Sequence, residues 1–341
     1  MQSAISEYAP ESEVVADGYL IKSRYVRVMN GRNWPKYNFI ECPNCQTMVR
    51  TLWVNSFPEE CPHCNHELPK HHSTYIIPKF GFIIDNSDVK PVGTNKPERT
   101  YKGSISYIGD GSKVTNKEYL ICNKKVIIGT SKMDELAVLN TSPFYICDSC
   151  GYGKLYSDNN DLIKECEHKK PDGYLCSSTK LKPYALGHEF QTDVVILKFM
   201  SINIKEIDKA WTILYSLLEG LSKYLGIERN ELAGCLQWFR NENYSSGNYG
   251  FVLFDNTPGG AGYVRQVIDT QTLEGMLYAA EKIVNSCTCG GELADTACYG
   301  CLCNYFNQKQ HDIMQRRYAI EFFKELRNGH NEYCIREVSE T

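Results

Sequence analysis

Four cysteine pairs in this chain are each separated by two residues: Cys42/Cys45, Cys61/Cys64, Cys147/Cys150 and Cys298/Cys301. Such a pair forms a tight knuckle whose thiolates can sit about 2.3 Å from one tetrahedral Zn²⁺. Cys42-Pro-Asn-Cys45 and Cys61-Pro-His-Cys64 flank fifteen residues, the layout of a zinc ribbon. Four thiolates fill the coordination sphere, so this site is structural rather than catalytic. The second cluster holds Cys147, Cys150, Cys166, His168 and Cys176, five donors for four positions. Cys147, Cys150 and Cys176 are three ligands, and spacing does not separate Cys166 from His168 as the fourth. The third cluster offers Cys287, Cys289, Cys298 and Cys301, with Cys303 spare. The expected cofactor is zinc, about three ions per chain. Cys122, Cys235 and Cys334 are isolated and read as ordinary thiols.

Other chemistry is less sharply signalled. Residues 89–132 carry nine Lys/Arg against three acids, with Tyr101, Tyr107 and Tyr119 interleaved. Cations attract phosphates and aromatic faces stack on unpaired bases, so Lys102, Lys113, Lys117, Lys124 and Lys125 are nucleic-acid contacts to test. Arg317 joins them because it falls within the apolar stripe of the last helix. The plainer reading of the strip is a solvated sheet face. A strand, a Gly-rich turn and a helix follow one another over 249–268, and Gly259, Gly260 and Gly262 suit an anion or partner loop. No Lys-Ser/Thr follows, so this is not a Walker A loop. His188, Glu189, Asp193 and Asp255 are the groups from which a metal-dependent hydrolase or nuclease would be built.

These groups need elements to hold them. Asp17-Gly18 marks a hairpin turn in the opening stretch, and STYIIPKFGFII reads as β. Strands are expected at 191–200, 234–240 and 249–254. Helices are expected over 206–226, 271–286 and 304–327, with a short one over YVRQVI. In the first, Ile207, Trp211, Leu214, Leu218, Leu221 and Leu225 form one stripe ending at Gly226. The fold class is α+β or mixed α/β. The divisions are a β lead-in (1–40), a zinc ribbon (41–72), a β-rich basic region (73–145) and a second zinc element (146–180). An α/β domain (181–286) and a C-terminal zinc element with its helix (287–341) complete the chain.

Composition bounds the rest. With 341 residues, 42% hydrophobic, 23% charged and a net charge of -4, the chain can bury a core and is not a uniformly basic nucleic-acid protein. It has no run apolar enough to span a bilayer and no secretory leader, so a reducing cytoplasm is the expected setting.

The run Cys287-x-Cys289…Cys298-Tyr-Gly-Cys301-Leu-x-x-Tyr305-x-Asn307-Gln308-x-x-His311…Arg317 resembles the MrfA-associated zinc-binding domain of DEAD/DEAH-box helicases. Gly187-His188-Glu189-Phe190-x-Thr192-Asp193, Asp255-x-x-Pro258-Gly259-Gly260-Ala261-Gly262 and Cys147-x-x-Cys150-Gly with His168 and Cys176 look like the same C-terminal region. A related region occurs in DrmB-like proteins of DISARM phage defence. The resemblance implies His168 as the fourth ligand of the second cluster. It also implies a superfamily 2 helicase or translocase motor as partner, and DNA, single-stranded or forked, as the shared substrate. The ATPase motifs of such motors are missing here. The expectation is therefore a non-catalytic accessory module serving DNA repair or anti-phage defence. The alternatives are a scaffold that docks a helicase without touching DNA, and the hydrolase.

Overall fold

The computed structural model describes residues 4–92, 103–155, 165–240 and 247–338. The first part holds a single helical turn, α1 (Ala4–Glu7), and strands β1 (Glu13–Ala16), β2 (Tyr19–Val26), β3 (Lys36–Glu41), β4 (Met48–Leu52), β5 (Ser73–Ile76) and β6 (Phe82–Pro91). Asp17 and Gly18 take φ of 50° and 77°, the left-handed pair that a two-residue hairpin needs. The β1–β2 hairpin then extends onto β6, making a three-stranded sheet.

The centre of the chain is built on two long strands. β7 (Gly103–Tyr107), β8 (Thr115–Ile121), β9 (Lys124–Ile146), β10 (Gly153–Leu155) and β11 (Lys182–Phe199) come in succession. β9 and β11 pair antiparallel along most of their length, with irregularities at Tyr184/Leu186 and Thr192/Val194. Their length lets separate stretches hold separate partners. β9 takes β8, β7 and β10 in turn, while β11 takes β5 near its start and β13 near its end.

The last part contains α2 (Ile207–Leu225), β12 (Leu232–Arg240), β13 (Gly247–Asp255), α3 (Thr270–Ser286), α4 (Arg316–Arg327) and β14 (Ile335–Val338). Strands β3–β5 and β7–β14 form one eleven-stranded sheet in which the β5–β11 pairing is parallel. β13 lies antiparallel to both β11 and β12, so 181–286 is not a parallel α/β unit. The class is mixed α+β. The divisions at 40/41 and 145/146 fall inside β3 and β9.

One core joins the helices to the sheet. Ile213, Leu214, Leu217, Leu218 and Leu221 of α2 are fully buried with Val195, Leu197 and Phe199 of β11 and Leu273, Met276 and Leu277 of α3. Each such side chain contributes about 1.5–3 kcal/mol of transfer free energy. The buried face of α2 is wider than its predicted stripe because α3 covers a second side. Gly226 ends the helix in the left-handed conformation, its N–H on the Ser222 carbonyl.

The single helix expected over 304–327 is broken. A 3₁₀ turn covers Tyr305–Gln310, and α4 begins only at Arg316. Asn304 accepts from the Phe306 amide at 2.9 Å, and its own amide donates to Asn307 Oδ1 at 2.8 Å. Buried Asn307 leaves the helical region and donates to the Leu302 carbonyl at 2.8 Å. These side-chain bonds offer the backbone an alternative to the helix ladder. YVRQVI is likewise a 3₁₀ turn, at Val264–Ile268.

Candidate metal centres

The first tetrad is rooted in β3 and β4. Cys42 and Cys64 sulfurs are 3.6 Å apart and Cys45 and Cys61 sulfurs 3.7 Å apart, with all four within 4.8 Å of one another. Four sulfurs 2.3 Å from a tetrahedral zinc lie about 3.8 Å apart. Disulfide sulfurs would be at about 2.05 Å. Each knuckle closes with an amide-to-carbonyl bond: Gln46 to Cys42 and Asn65 to Cys61, both 2.8 Å. β12 then clamps the second knuckle. Arg240 donates to the Pro62 carbonyl at 3.1 Å and the His63 carbonyl at 3.2 Å, and the Trp238 amide donates to Thr47 Oγ1 at 3.1 Å.

The second tetrad brings together Cys147, Cys150, His168 and Cys176, again within 4.8 Å, with Cys147 and Cys176 sulfurs 3.9 Å apart. His168 is buried, and its ring stacks on Tyr152 at 4.6 Å. Its Nδ1 lies 2.9 Å from the Cys166 carbonyl, while its buried Nε2 has no hydrogen-bond partner. A proton on Nδ1 donated to that carbonyl leaves the Nε2 lone pair for a metal, the usual outer-shell arrangement of a ligating histidine. Cys166 thus orients the ligand through its backbone, and its thiol lies outside the tetrad. Gly151 follows the knuckle at φ 77°, where a Cβ would lie 1.8 Å from the Val26 carbonyl oxygen. Only glycine lets β2 dock there, through the 2.8 Å Val26–Gly151 bond.

The third tetrad is Cys287, Cys289, Cys298 and Cys301, with sulfur separations of 3.6, 3.7 and 3.9 Å. Cys287 follows the last residue of α3, and Cys301 lies in the main core beside Leu302 and buried Cys303. Arg316 is buried and holds the site from α4. It donates to the Cys289 carbonyl at 2.9 Å and to the Val284 carbonyl at 2.8 Å. Its sequence position, next to solvated Lys and Arg residues, conceals this role.

Electrostatics favour metal at each cluster. In the first, burial pushes Cys45 well up and Cys61 up to about 11, while hydrogen bonds led by Asn44 overcome burial and bring Cys64 to about 7. In the second, the hydrogen bond with Cys150 brings Cys147 down to about 4 and drives Cys150 far up. In the third, the Cys289 amide brings Cys287 to about 7, and burial raises Cys301. Each cluster therefore sets a lowered thiol (Cys64, Cys147 or Cys287) beside at least one raised thiol whose deprotonation a cation would favour. The donor sets fit zinc.

The remaining sequence expectations land elsewhere. Asp255 is fully buried and accepts the amides of Ala261 (2.7 Å), Tyr263 (3.1 Å) and Val264 (3.0 Å). Gly259 and Gly260 donate to the Gln191 and Thr257 carbonyls. The Gly259–Gly262 turn is thus folded around a carboxylate of its own chain, with the Ala261, Tyr263 and Val264 amides spent on Asp255 and those of Gly259 and Gly260 on backbone carbonyls. Gly260, at φ 76°, also leaves room for Asp193, which a Cβ would meet at 2.6 Å. Asp193 pairs with Arg265 at 3.5 Å, and Glu189 accepts from Arg50 at 2.5 Å and Tyr75 at 2.9 Å. His188 is held below its usual range by burial. The four proposed hydrolase groups do not form a cluster among the described residues.

In the basic strip, Lys102 lies outside the described residues. Lys113 pairs with Glu135 (3.6 Å), Lys117 with Glu337 (2.9 Å) and Lys125 with Glu118 (2.7 Å). Lys124 begins β9 after the Cys122–Asn123 turn. Arg317 is the second residue of α4, after Arg316, and its guanidinium lies 5.2 Å from the Tyr318 ring. The strip and Arg317 therefore sit on different elements.

Fold and sites together define a zinc-binding α+β protein with three closed Cys-rich tetrads. Residues 213–302 match the family model of the MrfA Zn-binding domain. The match begins in α2 and contains the whole third tetrad. Among solved structures, the chain is similar to the DUF1998 helicase MrfA bound to DNA, at 14% identity and a TM-score of 0.34. That likeness covers 70% of this chain and 26% of the helicase, so the chain spans about a quarter of the length of that neighbour. No curated protein matches the sequence. Among the described residues no helix is long and apolar enough to cross a membrane.

Proposed function

We propose that this chain is a non-catalytic, zinc-stabilised accessory module that works with a superfamily 2 helicase or translocase motor on DNA, in a cytoplasmic setting. The observation that carries the reading is the match of 213–302 to a helicase-associated zinc domain, with four of its five cysteines gathered in one tetrad. The roles of the module are contact with single-stranded or forked DNA and coupling to the motor, in repair or in defence against phage. Electrostatic DNA contact predicts binding that falls steeply with salt. Fluorescence anisotropy on forked and single-stranded oligonucleotides at 50 and 200 mM salt checks this. No binding at low salt, with or without the motor that co-purifies from the native host, overturns it.

A scaffold that docks the motor without touching DNA is the second reading. It is favoured by the ion pairs of Lys113, Lys117 and Lys125, and by the exposed rings of Tyr299, Tyr305 and Phe306 beside the third tetrad. Salt-insensitive co-purification with no DNA shift would decide for it.

A further inference from the structure

The cysteine chemistry and the basic strip leave one feature unused. The tip of β4, just beyond the first knuckle, presents three consecutive apolar residues to solvent: Leu52 is 51% exposed, Trp53 55% and Val54 80%. The tip is not loose. The Trp53 amide donates to the Lys36 carbonyl at 3.1 Å, and the Asn55 amide to the Leu52 carbonyl at 2.9 Å. The tip lines a cleft of about 500 Å³ together with Arg32, Lys36, Asp148 and Lys182. Asp148 belongs to the second knuckle, between Cys147 and Cys150, and takes Lys36 at 3.0 Å and Lys182 at 2.8 Å. Arg32 is exposed and has no carboxylate partner among the described residues. The cleft thus holds three cations and one carboxylate, beside an open indole. Lys36 Nζ lies 5.8 Å from the Trp53 ring centroid.

An apolar partner alone would leave the two surplus charges uncompensated. A polyanion with flat faces satisfies both halves of the cleft, because aromatic rings stack on unpaired bases and cations take the flanking phosphates. Resting on the DNA reading above, we propose that this cleft is a nucleotide site for single-stranded DNA, with a base on Trp53 and its neighbouring phosphates on Arg32, Lys36 and Lys182. Each wall is rooted in a separate zinc tetrad, one through β4 and the other through Asp148. The two metals therefore preorganise one site, and its partner chemistry is that of an unpaired strand.

The test is anisotropy of a fluorescein-labelled fifteen-nucleotide oligothymidylate with the 341-residue chain. Trp53→Ala is expected to weaken binding about ten-fold, and Trp53→Phe to restore most of it. Arg32→Ala with Lys182→Ala is expected to flatten the log–log salt slope by roughly 1.4, or about 0.7 per phosphate. Trp53 is more than half exposed, and an unchanged zinc content shows that each variant is folded. Oligothymidylate binding that is the same in Trp53→Ala as in wild type overturns the site while leaving the DNA reading intact. Failure of the wild type to bind any oligonucleotide overturns the DNA reading itself. Trp53-dependent binding of labelled polyglutamate in place of oligothymidylate overturns the proposal in favour of an acidic protein segment.

Discussion

At the scale of single residues, His168 shows what a side chain's surroundings add to its spacing. Cys166 and His168 are two positions apart, and either could complete a tetrad on spacing alone. Geometry gives them different parts: the histidine turns a free Nε2 toward three thiols, and Cys166 holds the other ring nitrogen through its carbonyl. Replacing His168 with Ala should lower zinc from about three ions per chain to about two, and His168→Cys should restore it. Cys166→Ser keeps the carbonyl and should leave zinc content unchanged. Elemental analysis of purified protein reads all three. Equal loss in His168→Ala and Cys166→Ser would reverse the assignment.

At the scale of elements, the Gly-rich turn between β13 and α3 is organised by Asp255 rather than by a ligand. Its carboxylate satisfies three amides in a site closed to water. Asp255→Ala would orphan those donors, costing about 3 kcal/mol, seen as a lower urea midpoint. A midpoint within error of wild type would show that the turn holds without it. The long elements were legible because burial imposes periodicity: α2 and α3 lie within a few residues of their predicted ends. The break at Asn304–Asn307 was not, because two asparagine side chains compete locally with the helix ladder, and hydropathy does not register that competition. Arg240 and Arg316 were also hidden. Each looks like a surface cation in sequence, yet each is aimed at carbonyls of a cysteine knuckle by a partner element distant in the chain.

At the scale of the whole molecule, the tetrads act as staples at three places on one framework. Cys301 packs in the main core, so zinc at the third site is coupled to the folding of α2, α3 and α4. The metal-bound form carries thiolates, whereas burial pushes Cys45, Cys61 and Cys301 toward the protonated form without it, and the hydrogen bond with Cys147 does the same to Cys150. Protons therefore compete with zinc, and affinity rises with pH. Acidification from about pH 7 to about pH 4 should release the metal, with loss of helical circular dichroism following it. A zinc-chelating dye and far-ultraviolet dichroism followed together check the order. Metal release with the helical signal intact would show that the third site is peripheral to the core.

The sequence alone was sufficient for the zinc chemistry and for the principal helices, because ligand spacing and hydrophobic period are local properties of the chain. It also carried the resemblance that the match over 213–302 supports. Spacing left Cys166 and His168 open, and the resemblance implied His168. The tertiary structure added the geometry that gathers His168 with three thiols, the inward use of the Gly-rich turn and the absence of a metal-holding group among the hydrolase residues that are described. It alone brought Trp53 to one cleft with Arg32, Asp148 and Lys182. All of these depend on which distant strands become neighbours. In this protein that is settled by β9 and β11, whose length lets one sheet gather segments more than a hundred residues apart.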